Sequence, residues 1–174
     1  MLFRSIPADI ETVNRLAYAG GVANEAMRLR PVAPLFFLEP TVETVVGGVA
    51  IPVGSVVLLT IRLPAVNAEN FDAPDEFRPA RWLDERPSPG PHDSSAHQPF
   101  GSGPRICPGR SLALLEMKMV LATIYQSFDV ERVGAASDVR EGLAFTMSPV
   151  GLQVKLRPRH KTAEKTTLLV HGSA

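Results

Sequence analysis

The sequence is poor in cysteine. Cys107 is the single one in 174 residues, which excludes an internal disulfide, a cysteine zinc cluster and the secreted class of small stapled domains. No apolar run reaches the roughly 18 residues that a membrane span needs. The opening Met1-Leu2-Phe3-Arg4-Ser5-Ile6-Pro7 is too short and too broken for a signal peptide, so a soluble, cytoplasmic chain is expected. Net charge is absent as well. With 18 Lys plus Arg against 18 Asp plus Glu, no overall field gathers phosphates, and a nucleic-acid partner is not expected. At 45% hydrophobic and 21% charged residues the composition is that of one globular domain. What the chain does have is 16 prolines and 13 glycines, concentrated in stretches that also hold the informative residues.

From Asp9 to Arg30 the residues favour helix, with Asp9 as N-cap and Val13, Leu16 and Ala17 at helical spacing. Gly20-Gly21 is expected to interrupt it, leaving a second helix from about Val22 to Leu29 that Pro31 and Pro34 stop. Between Leu35 and Ile61, β-branched runs broken by Gly47-Gly48 and by Pro52-Val53-Gly54 predict a small antiparallel unit. Pro64 to Gln98 reads as mainly irregular, and Arg86 to Gln98 as a polar loop that supplies no core. Arg110 to Phe128 is apolar on nearly every face, so a helix buried all round is expected. A closing hairpin is predicted from Leu143–Met147 and Leu152–Leu156, turned at Ser148–Gly151, with His160 to Ala174 as a loose tail.

The segment Phe100-Gly-Ser-Gly-Pro-Arg-Ile-Cys-Pro-Gly109 runs straight into that apolar helix. Cys107 lies at the helix mouth, where unpaired amides and the positive end of the dipole favour a thiolate. A thiolate can hold iron, copper or zinc, or act as a nucleophile; a buried, inert cysteine is the alternative at this point. Gly101 and Gly103 allow turns closed to other residues, and Gly109 removes a Cβ where a flat cofactor can press on the helix start. Arg105 can pair with a carboxylate. His92 and His97 flank the polar loop and could join Cys107 on a metal, but loop histidines are expected to be solvent-exposed. Met117, Met119 and Met147 read as packing.

The pattern Phe-x-x-Gly-x-Arg-x-Cys-x-Gly followed by Leu-Ala-x-x-Glu, carried by Phe100, Gly103, Arg105, Cys107, Gly109, Leu112, Ala113 and Glu116, resembles the haem-binding signature of the cytochrome P-450 family. Glu25-Ala-Met-Arg28 resembles the family's Glu-x-x-Arg helix, and Phe77-Arg-Pro-Ala-Arg-Trp82 the segment whose arginine joins that pair. The three motifs follow the family's order, and the match runs from about Leu16 to Arg159. The resemblance implies an α+β portion of a mostly helical fold. It implies that Cys107 is the axial ligand of haem b, that Arg105 binds a propionate, and that Phe100, Gly101, Gly103 and Gly109 shape the cofactor site. Glu25, Arg28 and Arg81 would form a buried structural charge network with Trp82 near it. Thiolate ligation favours O–O cleavage, so the activity implied is a monooxygenase acting on a small organic substrate. Its electrons come indirectly from NAD(P)H through a reductase or a ferredoxin.

Three positions depart from the family's pattern. Leu38 falls where members commonly carry a propionate-binding arginine, Ala80 replaces an acidic residue, and Ala65-Val-Asn-Ala68 replaces the common His-Arg-Asp-Pro. Arg105 is left as the one propionate anchor. The long distal helix with its oxygen-activating acid-alcohol pair has no counterpart here, so no catalytic residue beyond the haem ligand is assigned. The expectation is that residues 1–159 are the C-terminal portion of one such domain, with an N-terminal half supplied elsewhere. The alternative is a non-catalytic haem-binding fragment or relic. A third reading makes Cys107 a redox or nucleophilic thiol, which needs a base that no histidine close in sequence supplies.

Overall fold

The computed structural model describes residues 9–83 and 90–159. The expected tail, 160–174, and part of the polar loop lie outside the described residues. The chain enters through α1 (Ile10–Asn14), whose N-cap Asp9 accepts the Thr12 N–H at 2.6 Å. It turns at Arg15 and Leu16 and continues as α2 (Ala17–Leu29). The expected interruption at Gly20-Gly21 is therefore wrong, and the break falls one turn earlier. The glycines serve close approach instead. A Cβ on Gly21 would stand 2.6 Å from the carbonyl oxygen of Pro79, which opens the 3-10 turn Pro79–Trp82 packed on α2. A Cβ on Gly20 would meet only the Lys118 side chain, at 3.2 Å.

This contrast makes a prediction. Gly21→Ala must push two backbone segments apart and is expected to cost about 1–3 kcal/mol, as overpacking does. Gly20→Ala displaces only the end of a flexible lysine and gains helix propensity worth up to about 1 kcal/mol. Thermal melts of the two variants should move in opposite directions; equal destabilisation would contradict the close-approach account.

Beyond α2, β1 (Leu35–Leu38), β2 (Thr44–Val46), β3 (Val49–Ile51) and β4 (Val57–Thr60) form two antiparallel pairs. β2 and β3 are a hairpin whose Gly47 and Gly48 both take positive φ, 58° and 82°. β1 lies against β4 with Leu35 opposite Thr60 and Leu38 opposite Val57. A single turn, α3 (Arg62–Ala65), follows. The stretch after it is mainly irregular, as expected, yet it supplies core and draws on the loop read as polar. Phe71 is fully buried, and the His92 ring meets it edge-on at 5.3 Å.

The long helix α4 (Arg110–Ser127) forms as expected, but of its residues only Ala122 is buried. Leu112 is 59% and Val120 is 55% exposed. Among the described elements, α1, α2 and the strand that follows pack most on α4, so a helix apolar on nearly all faces leaves much of its surface uncovered. The apolar core is correspondingly small, with Val13, Ala19, Ala23 and Met27 among its buried members.

The closing β-structure corrects the predicted hairpin. β5 (Phe128–Val133) continues directly from α4 and pairs with β8 (Gln153–Pro158), while β6 (Arg140–Leu143) pairs with β7 (Met147–Val150). The turn is at residues 144–146, and Gly151, with φ 86°, is the joint between β7 and β8. The missed element is β5. Its Asp129 and Glu131 meet Arg159 and Arg157 across the ladder, each at 2.7 Å. Among the described residues, no helix is long and apolar enough to cross a membrane.

Candidate functional site

Two features lie together in this frame, a buried charge network and a cysteine loop. The network begins on α2. Glu25 and Arg28 are three residues apart on one helical face, and both side chains are fully buried. Glu25 Oε1 accepts from Arg28 Nη2 at 2.9 Å, from Arg81 Nε at 3.0 Å and from the Arg78 backbone N–H at 2.9 Å. Its Oε2 accepts from Arg28 Nε and from the Trp82 indole N–H, both at 2.9 Å. Other guanidinium donors go to backbone carbonyls. Arg28 reaches Ala65, Pro74 and Glu76, and Arg81 reaches Asp72 and Ala73.

The structure thus brings Glu25, Arg28, Arg81 and Trp82 together and ties the segment from Ala65 to Trp82 onto α2. Two positive groups surround one carboxylate, and carbonyl dipoles absorb the excess. Burial alone would raise the Glu25 pKa; the hydrogen bonds from Arg28, Arg78 and Trp82 outweigh it and hold the carboxyl at about 2. With its lone pairs taken, Glu25 has no capacity left for a ligand, so the network is a support.

His92 and His97 are not the exposed loop histidines expected from sequence. The His97 ring lies 4.7 Å from that of Trp82, and the His92 ring 4.9 Å from it. The His97 Nε2 is buried with no hydrogen-bond partner among the described residues. Burial, reinforced by the nearby Arg28 charge, lowers the His97 pKa to about 4. The ring is therefore neutral at pH 7, and it seats the chain just ahead of Phe100 on the network. Sequence reasoning missed this role, because a histidine between polar residues gives no periodic signal.

The cysteine loop follows. The Cys107 N–H donates to the Phe100 carbonyl at 2.9 Å, and the Arg110 N–H donates to the Cys107 carbonyl at 3.2 Å. Within the loop Gly101 and Gly103 take φ of 71° and 65°, the left-handed region that side chains disfavour. Cys107 is a free, exposed thiol just before α4. A Cβ on Gly109 would stand 3.7 Å from its sulfur, so glycine leaves that flank of the sulfur open.

The loop forms one wall of a cavity of about 520 Å³, whose other wall comes from β1 and β4. Phe36, Phe37, Leu38 and Phe100 line it together with Cys107, and among the described residues Arg105 is its one charged lining residue. This size falls within the range of cofactor pockets. Among the described residues, no three His, Cys, Asp or Glu side chains converge as a metal site. The lining suits an apolar group that carries an anionic edge.

The family model for cytochrome P450 matches residues 4–156. The chain belongs to the cytochrome P-450 family. A cytochrome P-450 monooxygenase, ABA2, of Pyricularia oryzae (strain Y34) is 38% identical over 138 residues, covering 75% of this chain and 33% of that protein. The bifunctional cytochrome P-450/NADPH–P-450 reductase 2 of Bacillus subtilis (strain 168) is 35% identical over 159 residues, covering 89% of this chain and 14% of that one. The crystal structure of the cytochrome P450DA heme domain superposes with a TM-score of 0.79 at 28% identity, over 91% of this chain and 35% of the other. The chain thus spans a third or less of these two relatives. Within the cytochrome P-450 fold it contributes helices together with small antiparallel sheets, the expected α+β portion.

Proposed function

We propose that this chain supplies the cysteine-ligand side of a haem-thiolate monooxygenase. Cys107 ligates the iron of haem b, Arg105 pairs with a propionate, and Phe100, Gly101, Gly103 and Gly109 shape the surface under the macrocycle. The Glu25, Arg28 and Arg81 network fixes the ground on which the loop rests. The observation that carries the reading is the exposed Cys107 thiol on the wall of an apolar cavity with a single cation at Arg105. Bound there, haem would supply oxygen activation with electrons from a reductase or ferredoxin, and the organic substrate would receive the oxygen atom. Residues 1–159 form part of one such domain. The relative in Bacillus subtilis whose name includes a reductase supports an electron-donating partner.

Residues of this chain would hold haem from the cysteine side. Chemistry on the opposite face needs a water-excluding pocket, and the open apolar surface of α4 at Leu112 and Val120 marks where further structure must cover the fold. Titration of ferric haem into the chain tests the assignment. One haem per chain is expected to bind with the paramagnetic resonance signature of a low-spin thiolate complex. Arg105→Ala should weaken binding about tenfold, the worth of one charge-assisted hydrogen bond of roughly 1.5 kcal/mol. Cys107→Ser should abolish the thiolate signature, and a spectrum unchanged by that substitution would overturn the reading.

A further inference from the structure

We propose that the C-terminal tail of this chain docks along α4, with Lys165 on Glu116 and Leu168, Leu169 and Val170 on the apolar groove between α2 and α4. The docking needs no haem, and it names what covers part of the α4 surface left open above. The groove has a volume of about 630 Å³. Its α2 wall includes Val22, Ala26 and Met27, and its α4 wall includes Met117, Val120 and Leu121. Among the described residues, Glu116 is its one charged lining residue. The apolar stripe continues past the groove along α4 at Leu112 and Met119, which are 59% and 43% exposed. A long apolar strip with a single anion in it fits a segment that carries a cation beside a few apolar side chains.

Glu116 finds no counter-ion on its own helix. The positions three and four residues away, Leu112, Ala113, Met119 and Val120, are all apolar. Lys118 lies over α2 instead, with its Cε 3.2 Å from where a Cβ on Gly20 would stand. No salt bridge among the described residues includes Glu116. The described chain ends at Arg159, whose N–H donates to the Ser127 carbonyl at 2.8 Å, so the tail departs from the far end of the same helix. Eleven residues of α4 lead from Ser127 back to Glu116, about 16 Å at the rise of an α-helix. Six residues lead from Arg159 to Lys165, enough for about 20 Å of extended chain. Lys161, two residues on, reaches only about 7 Å. A tail that runs back along α4 and sets Lys165 on Glu116 carries Leu168, Leu169 and Val170 on toward Ala113 and Leu112, near the start of the helix.

Zero-length carbodiimide coupling of the whole chain tests this, read by peptide mass spectrometry on an equal mixture of isotope-labelled and unlabelled chains. The main product at Glu116 should join it to Lys165, with both peptides from the same chain. Leu168→Ser combined with Leu169→Ser should lower the yield of that product about tenfold, through lost apolar burial. Both substitutions lie outside the described fold and leave Glu116 in place, so they do not put folding at risk. A product that mixes isotopes would show that a second copy supplies the segment, and would overturn the proposal. Coupling of Glu116 to Lys161 or to the Met1 amine at equal or greater yield would overturn it too, as would a yield unmoved by the leucine substitutions or no product at all. Haem binding that depends on Cys107, in a chain that gives no Glu116–Lys165 product, sinks this proposal and spares the haem reading. The expected product in a chain that binds no haem does the reverse.

Discussion

Glu25→Gln is expected to lower the unfolding free energy by about 3–5 kcal/mol. The substitution is nearly isosteric, so the loss comes from charge. Glu25 is the common partner of Arg28, Arg81, the Arg78 amide and the Trp82 indole. Without its charge, two guanidinium groups remain buried and uncompensated, and one amide donor of the new side chain faces cations. Substituting Arg28 as well does not restore stability, because the carbonyls of Ala65, Pro74 and Glu76 then lose their donor. Urea unfolding followed by tryptophan fluorescence reads this directly, since Trp82 is part of the network. A loss under 1 kcal/mol would show that water already reaches the carboxylate.

Acid is expected to destabilise the chain in two successive windows. His97 is neutral in the folded state with a pKa of about 4, against an ordinary value of 6.5. The unfolded chain therefore takes up a proton that the folded chain refuses. Stability falls as pH drops from 6.5 toward 4, by about 3 kcal/mol in all at 1.36 kcal/mol per unit. Glu25 acts lower. Its carboxyl stays ionised in the fold down to about 2 against an ordinary 4.5, so its contribution is intact above 4.5 and disappears as pH falls through 2. His97→Phe keeps a ring against Trp82 and removes the upper window while leaving the lower one. Denaturation midpoints measured between pH 7 and pH 4 should fall steeply for the natural chain and stay nearly flat for His97→Phe. Parallel curves would refute a neutral, buried His97.

Much of the site was legible in the sequence because its residues are local. The spacing of Gly101, Gly103, Arg105, Cys107 and Gly109 lies within one loop, and Glu25 and Arg28 lie one helical turn apart. Their company was harder to read. Trp82, His97 and the carbonyls from Ala65 to Glu76 reach Glu25 and Arg28 only through the tertiary fold, and single residues at long range leave no periodic trace. Gly20-Gly21 misled for a related reason. Glycine weakens a helix by propensity, yet here one of the pair is required by the Pro79 carbonyl pressed against it, and tertiary packing overrides propensity.

The closing strands carry a signal of another kind. Phe128 to Glu131 alternates apolar and charged residues, and Asp129 and Glu131 match Arg159 and Arg157 in spacing. That pattern predicts the β5–β8 ladder, whereas local turn residues pointed to Ser148–Gly151. α4 illustrates the opposite limit. Its uniformly apolar sequence predicts burial, and it does imply a partner surface, but a sequence pattern does not say which residues provide it.

The central claim is that Cys107 ligates haem iron as a thiolate in a site these residues build. Its most direct test is the absorption spectrum of the haem-loaded chain, reduced and exposed to carbon monoxide, beside that of Cys107→Ser. A strongly red-shifted Soret band, present in the natural chain and lost in the variant, is the predicted result. A histidine-like or free-haem spectrum, the same in both chains, would contradict it.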